Sequence, residues 1–249
     1  MATLKSAALV TRSMNWRETS RIITLFTRDY GRLDVIAKGV NRPGSPHGGI
    51  LEPLNLVEAV VHFSDKRELQ ILNRAELETA LAGIRSDLEK LGCALAVLEL
   101  INTFFKDAGS SADFYDFTVY LLKTLEQARH SRVLLWFFML KLASYLGFRP
   151  RFDRCGICGR ETPGKAAGFS FASGALICSE CASGGEAGHR LSAGVHTYLA
   201  QLQAVHYKKI AGMEAPRSGA SEITAFLLAY LRWHTSEKLE LKALEYYKL

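Results

Sequence analysis

Four of the chain's five cysteines stand as two Cys-x-x-Cys pairs, Cys155/Cys158 and Cys178/Cys181, with nineteen residues between the pairs. Each pair sets two thiolates on one tight turn, and Gly156 and Gly159 relieve the backbone beside the first. Four soft sulfurs on two such turns suit tetrahedral Zn²⁺. Cysteine fills every position, so no coordination site is left for water or substrate, and one structural zinc is expected. The intervening "GRETPGKAAGFSFASGAL" is too rich in Gly and Ala to bury a core of its own, so a metal would supply the missing stability. A redox pair would need one Cys-x-x-Cys at a helix start beside a βαβ unit, which the surrounding sequence does not provide. Cys93 falls in a helical stripe and reads as core.

The same segment mimics a phosphate-binding loop. Gly159-x4-Gly164-Lys165 is followed by Ala166, where that loop needs a Ser or Thr for Mg²⁺, and neither a preceding strand nor a following helix frames it. It reads as a turn of the metal module. None of the seven histidines begins a His-x-Glu, and Gly-x-Ser-x-Gly and His-Glu-x-x-His are absent. Asp113 and Asp116 look like a helix start beside Phe114 and Phe117. Nothing here calls for an enzyme.

The net charge of +6 and pI near 9.1 suit an anionic partner, nucleic acid first. Residues 1–50 hold eight basic residues against three acidic, a net +5, and residues 129–165 hold eight against two, a net +6. For one residue a solvated face is the simpler reading, but two such clusters favour an extended polyanion. The N-terminus has only a four-residue apolar run, too short for a signal peptide. The longest apolar run, "VLLWFFML", is far below a membrane span. A cytoplasmic protein is expected, and a reducing compartment favours metal over disulfides.

The elements that must position these groups change period along the chain. Residues 1 to about 79 read as five strands: "LKSAALVTRS", two alternating runs in "SRIITLFTRDYGRLDVIAKG", then "LNLVEAVVHF" and "RELQILN". Ile23 and Leu25 share a face with Arg21, while Leu33, Val35 and Ala37 oppose Arg32, Asp34 and Lys38. This predicts a small antiparallel barrel, with "GVNRPGSPHGG" as a loop. From Leu81 the period becomes helical: Ile84, Leu88, Leu91, Leu95 and Leu98, then Phe114, Phe117, Leu121 and Leu125. "VLLWFFML" is apolar all round and predicts a central helix, stopped by Gly147 and Pro150. Two further helices follow the cysteines, with Ser192 and Ser221 as N-caps. The fold class is α+β. The expected parts are a barrel over 1–79, a helical domain begun over 80–150 and resumed over 189–249, and an embedded zinc module over 151–188.

Three stretches resemble the bacterial RecO family of recombination mediators: "NWRETSRIITLFTRDYGRLDVIAKG", "YLGFRPRFDRCGICGRE" and "FSFASGALICSEC". The resemblance spans most of the chain. It implies an N-terminal OB-fold, a helical domain and an embedded zinc module in a nucleoid-associated protein. It also implies DNA repair and recombination: binding of single- and double-stranded DNA, annealing, and work with RecR to load RecA onto DNA coated by single-strand-binding protein. An RNA-binding barrel, or an assembly adaptor that does not bind DNA, is the alternative. An OB barrel holds strands by a positive groove and aromatic platforms. The candidates for DNA binding are Arg12, Arg17, Arg21, Arg32, Lys38 and Arg42, with Trp16 and Tyr30 either stacking or packing a turn. Family loops after "AKG" are usually denser in Lys and Arg than this one, which has only Arg42. The resemblance also places the acidic, Phe-terminated tail of single-strand-binding protein on the helical domain, where Arg129, Arg132 and Lys141 flank the central helix.

Overall fold

Strands β1 (Ala2–Trp16), β2 (Ser20–Thr27), β3 (Gly31–Ala37), β4 (Leu56–Phe63) and β5 (Gln70–Thr79) form a closed barrel in the computed structural model, in the order β1-β2-β3-β5-β4. It describes the chain except residues 1, 46, 107, 108, 110, 163–165, 184–187, 236–238 and 248–249 and the side chain of Ala166. β1 pairs with both β2 and β4, and the ring shuts where β3 runs parallel to β5. This order and closure are those of an OB-fold. The alternation in the sequence does the sorting: Ile23, Leu25, Leu33, Val35 and Ala37 fill the barrel with Ala8, Val10 and Val57. Tyr30 packs against this core. Gly31, at φ 67°, makes the β2–β3 turn where a side chain would meet the backbone of Gly109.

The chain forms two compact units. The first is Met1–Gln127 with Leu241–Lys248, and the second is Ala128–Glu240. In the first, α1 (Ala82–Arg85), α2 (Leu88–Phe104) and α3 (Ala112–Gln127) cover one side of the barrel. Phe26, on the outer face of β2, meets Phe105 at 5.0 Å and Tyr115 at 5.7 Å, and Thr11 donates to Asn102 at 2.8 Å. Of the helical stripe read from the sequence, Ile84 and Leu98 are buried, Leu91 and Leu95 are partly buried, and Leu88 departs from it. Leu88 is 72% exposed, while Cys93, Ala94, Val97 and Ile101 are buried, because α2 is enclosed by the barrel, α1, α3 and α8 (Lys242–Tyr246) and needs small residues on several sides. Asp87 is the N-cap of α2, accepting from the amides of Glu89 and Lys90.

In the second unit α4 (Ser131–Tyr145) is buried along both faces from Val133 to Leu140. Trp136 donates to Thr224 at 2.9 Å and meets the edge of Tyr198. Gly147, at φ 91°, ends the helix as its sequence predicts, with the Phe148 amide returning to Ala143 and the Gly147 amide to Ser144. Around α4 lie α6 (Ala193–Ala204), a 3₁₀ turn (Tyr207–Gly212) and α7 (Ala220–Trp233). Ser192 is the N-cap residue of α6, but its hydroxyl donates to Glu222 and accepts from no amide of its own helix. The N-cap of α7 is Gly219, with Ser221 already inside the first turn. The cysteine segment is a three-stranded sheet of β6 (Arg151–Cys155), β8 (Ala175–Cys178) and β7 (Ala166–Ser170), in that order, closed by α5 (Ser179–Ala182).

Candidate metal centre and nucleic-acid face

β6 delivers Cys155 to the first knuckle. The Cys155 amide bonds Arg160, the Gly156 amide bonds Leu176 in β8, and the Gly159 amide folds back on Cys155 at 3.0 Å. Gly159 sits at φ 73°, and a Cβ on Gly156 would come within 2.6 Å of Ser173, so both glycines serve the geometry. β8 ends at Cys178, and one turn of α5 brings Cys181 round to join it. The four sulfurs lie within 4.8 Å of one another, and Cys158 and Cys178 are 3.8 Å apart. Sulfurs bound at about 2.3 Å to a tetrahedral ion stand about 3.8 Å from each other, so the donor set fits a four-thiolate metal ion. None of the cysteines is in a disulfide. Burial opposes ionisation of Cys155, yet the backbone amides of Cys158, Cys178 and Ile157 outweigh it and pull the thiol down to about 6.

One pair of residues at this centre was missed in the sequence. Arg160, just past the first knuckle, binds Glu180, inside the second, at 2.7 Å. Opposite charges flanking the two motifs were the available signal. Residues 163–165 of the phosphate-loop mimic, including Lys165, lie outside the described residues.

The six basic candidates of the first unit do not form one surface. Arg17, Lys38 and Arg42 line one open groove of about 380 Å³ with Trp16, Thr19, Ser20, Ile36 and Gly39. Trp16 is 44% exposed. The β1–β2 hairpin places Trp16 and Arg17 at its tip, and β3 brings Lys38 to the same end. Arg17 stands at φ 57°, a strained position for a side chain other than Gly or Asn. Arg12 is exposed on β1 outside this groove. Arg21, opposite Ala37 on the inward face, is held by Glu52 at 2.6 Å and Asn41 at 2.8 Å. Arg32 shares the outer face with Lys38 but lies about 20 Å along the strand, bound to Asp34 at 2.9 Å. Arg21 and Arg32 thus spend their charge within the fold.

The basic residues of the second unit also separate. Arg129 and Arg132 stand at the start of α4. Lys141 lies nine residues beyond Arg132, about 13 Å along the axis and half a turn round. Its ammonium lies 5.0 Å over the Phe137 ring, and burial, with Arg149 nearby, holds its pKa below the ordinary value. Arg149 and Arg151 line an open groove of about 760 Å³ between β6 and α6, with Phe152, Asp153, Glu161 and Gln203. No helix among the described residues is long and apolar enough to cross a membrane.

A family model described as Recombination protein O N terminal matches residues 1–81, and one described as Recombination protein O C terminal matches residues 85–243. The chain is 26% identical over 240 residues to the DNA repair protein RecO of Desulforamulus reducens, covering 96% of this chain and 93% of that one. It is 28% identical over 235 residues to the protein of the same name from Caldanaerobacter subterraneus, covering 94% of each. Against that from Geobacter metallireducens it is 33% identical over 183 residues, 73% of each chain. The two family models meet at the end of the barrel and run on through the four-cysteine sheet to α8, so barrel, helices and metal centre match together: the chain belongs to the RecO family.

Proposed function

We propose that this chain is a DNA repair mediator that binds single- and double-stranded DNA, anneals complementary strands and, with RecR, loads RecA onto strands covered by single-strand-binding protein. The groove of Trp16, Arg17, Lys38 and Arg42 carries the reading. Three cations free of carboxylate partners among the described residues surround an exposed indole, which is the pairing of phosphate contacts with a stacking surface that single strands need. A protein that anneals must accept any sequence, so phosphate contacts suit it better than base-edge readout.

In this reading the metal is one Zn²⁺ held by Cys155, Cys158, Cys178 and Cys181, and when bound it closes the ribbon without acting on a substrate. No covalent step is assigned to the chain. The acidic tail of single-strand-binding protein is assigned to the cations of the second unit, Arg129, Arg132 and Lys141. The place of action is the cytoplasm, at the nucleoid.

Gel shifts with DNA and RNA of equal sequence, with and without RecR, test this. Salt-dependent DNA binding by the chain alone, and a RecR-dependent shift of the complex, are the expected results. Preference for RNA would favour the RNA-binding alternative. Absence of any nucleic-acid binding would leave an adaptor.

A further inference from the structure

The second unit holds an array of rings that the metal centre does not use. Phe169, Phe226 and Tyr230 are buried and meet edge to face or stacked, with centroids 5.0 to 6.1 Å apart. At the rim the array opens. Phe171 stacks on His189 at 5.2 Å and 20°, and meets Trp233 edge to face at 6.1 Å. Trp233, the last residue of α7, is 62% exposed, and His189 is exposed as well. His189 is fixed there by paired backbone bonds with Phe169, both 2.8 Å. Those bonds require glycine at 188, where a Cβ would come within 3.0 Å of the Phe169 backbone.

Three arginines lie beside the rings. Arg190 follows His189 and Arg232 precedes Trp233. The Arg151 amide donates to the Gly174 carbonyl, and a Cβ on Gly174 would come within 2.8 Å of the Tyr230 hydroxyl. None of the three makes an ion pair among the described residues, and Arg232 spends one nitrogen on the Leu239 carbonyl. Exposed rings buttressed from behind, with unpaired guanidinium groups alongside, match unstacked bases on a phosphate chain. A duplex keeps its base faces stacked inside and cannot use them.

We propose that Trp233, Phe171 and His189, flanked by Arg190 and Arg232, form a second single-strand contact, on which bases stack independently of the barrel groove. This rests on the DNA-binding reading above. Of the chain's three tryptophans, Trp136 is buried and Trp16 and Trp233 are exposed, so the full-length Trp16→Phe protein reports on Trp233. Titration with a 20-nucleotide oligo-dT should quench its fluorescence saturably. Trp233→Ala should weaken oligo-dT binding roughly 5- to 150-fold, as expected for one lost stacked base, and leave affinity for a 20-base-pair duplex unchanged. If the wild type binds oligo-dT but Trp16→Phe shows no quenching at saturation, this assignment fails and the DNA-binding reading stands. Equal loss for single strand and duplex, or a change in self-association alone, also overturns it. No oligo-dT binding by the wild type removes both.

Discussion

Arg21 is clamped to Glu52, with Nη1 donating to Oε1 at 2.6 Å, which ties β2 to the loop that leaves β3. Asn41 accepts from Nε of the same guanidinium at 2.8 Å. Arg21→Ala is expected to act on folding, not on DNA: about 1 kcal/mol lost in chemical denaturation, the scale of one partly exposed ion pair with a hydrogen bond. The salt dependence of DNA binding should be unaltered. A stable variant with a flatter salt slope would return Arg21 to the DNA face.

Removal of charge from Arg17, Lys38 and Arg42 should do the reverse. For single strands each neutralised phosphate contributes roughly −0.7 to the slope of log K against log salt. The triple Gln variant should therefore flatten that slope by about 2, equally for unrelated sequences. An unchanged slope would move the contact to the basic residues of the second unit.

Purified protein should carry one zinc per chain, and Cys155→Ser or Cys178→Ser should lose it. Structural zinc in small modules is worth ~10–16 kcal/mol of apparent binding, so the ribbon should become sensitive to protease. The barrel, with its own core, should remain resistant. An intact ribbon in metal-free protein would contradict the assignment.

His196 is 2% exposed, and neither ring nitrogen has a partner. Burial holds its pKa below the usual 6.5, so the unfolded chain binds the proton more readily. Its contribution is complete above about pH 6.5 and is lost as pH falls from there through the lower folded value. Denaturation followed by Trp136, in the same unit, should show stability falling from pH 7.5 to 5.5. His196→Leu should reduce that fall without loss at pH 7.5, since no hydrogen bond is given up. His234, also lowered by burial, retains the remainder. Identical pH profiles for the two proteins would refute this.

Arg129 and Arg132 lie apart from Lys141, so the acidic tail cannot be gripped equally by all three. If it seats beside the C-terminal turn of α4, where Lys141 lies over Phe137, Lys141→Ala should weaken binding of an acidic Phe-terminated peptide about tenfold. The Arg129/Arg132→Ala protein should lose less. The opposite ranking, read by fluorescence anisotropy, would place the tail at the start of the helix.

The barrel was legible because alternation is a local property: Leu33, Val35 and Ala37 point inward wherever the strand goes. The metal knuckles were legible for the same reason, since spacing alone sets two sulfurs on one turn. What could not be read was the fate of individual charges. Arg21 looked available until the loop folded Glu52 against it, a partner thirty-one residues away. Arg32 was nearer to legible, because Asp34, two residues on, shares its strand face. Of the stripe, Ile84 and Leu98 are buried and only Leu88 is exposed; the burial of small residues such as Cys93 and Ala94 was not legible because α2 is covered on several sides, which a periodicity argument with one buried face does not represent.

α8 belongs to the first unit although more than a hundred residues of the second precede it. Glu99 of α2 accepts from the Ala243 amide, and Leu244 is buried. During synthesis the barrel therefore waits for its last brace until the whole second unit has left the ribosome. Closing so long an open segment costs on the order of 4 kcal/mol if it is unstructured, growing as (3/2)RT ln n. A folded second unit fixes the separation of its own ends and relieves much of that entropy. Loss of the second unit's own fold should return that cost to α8: amide exchange at Ala243 and Leu244 should then speed before any strand of the barrel loosens.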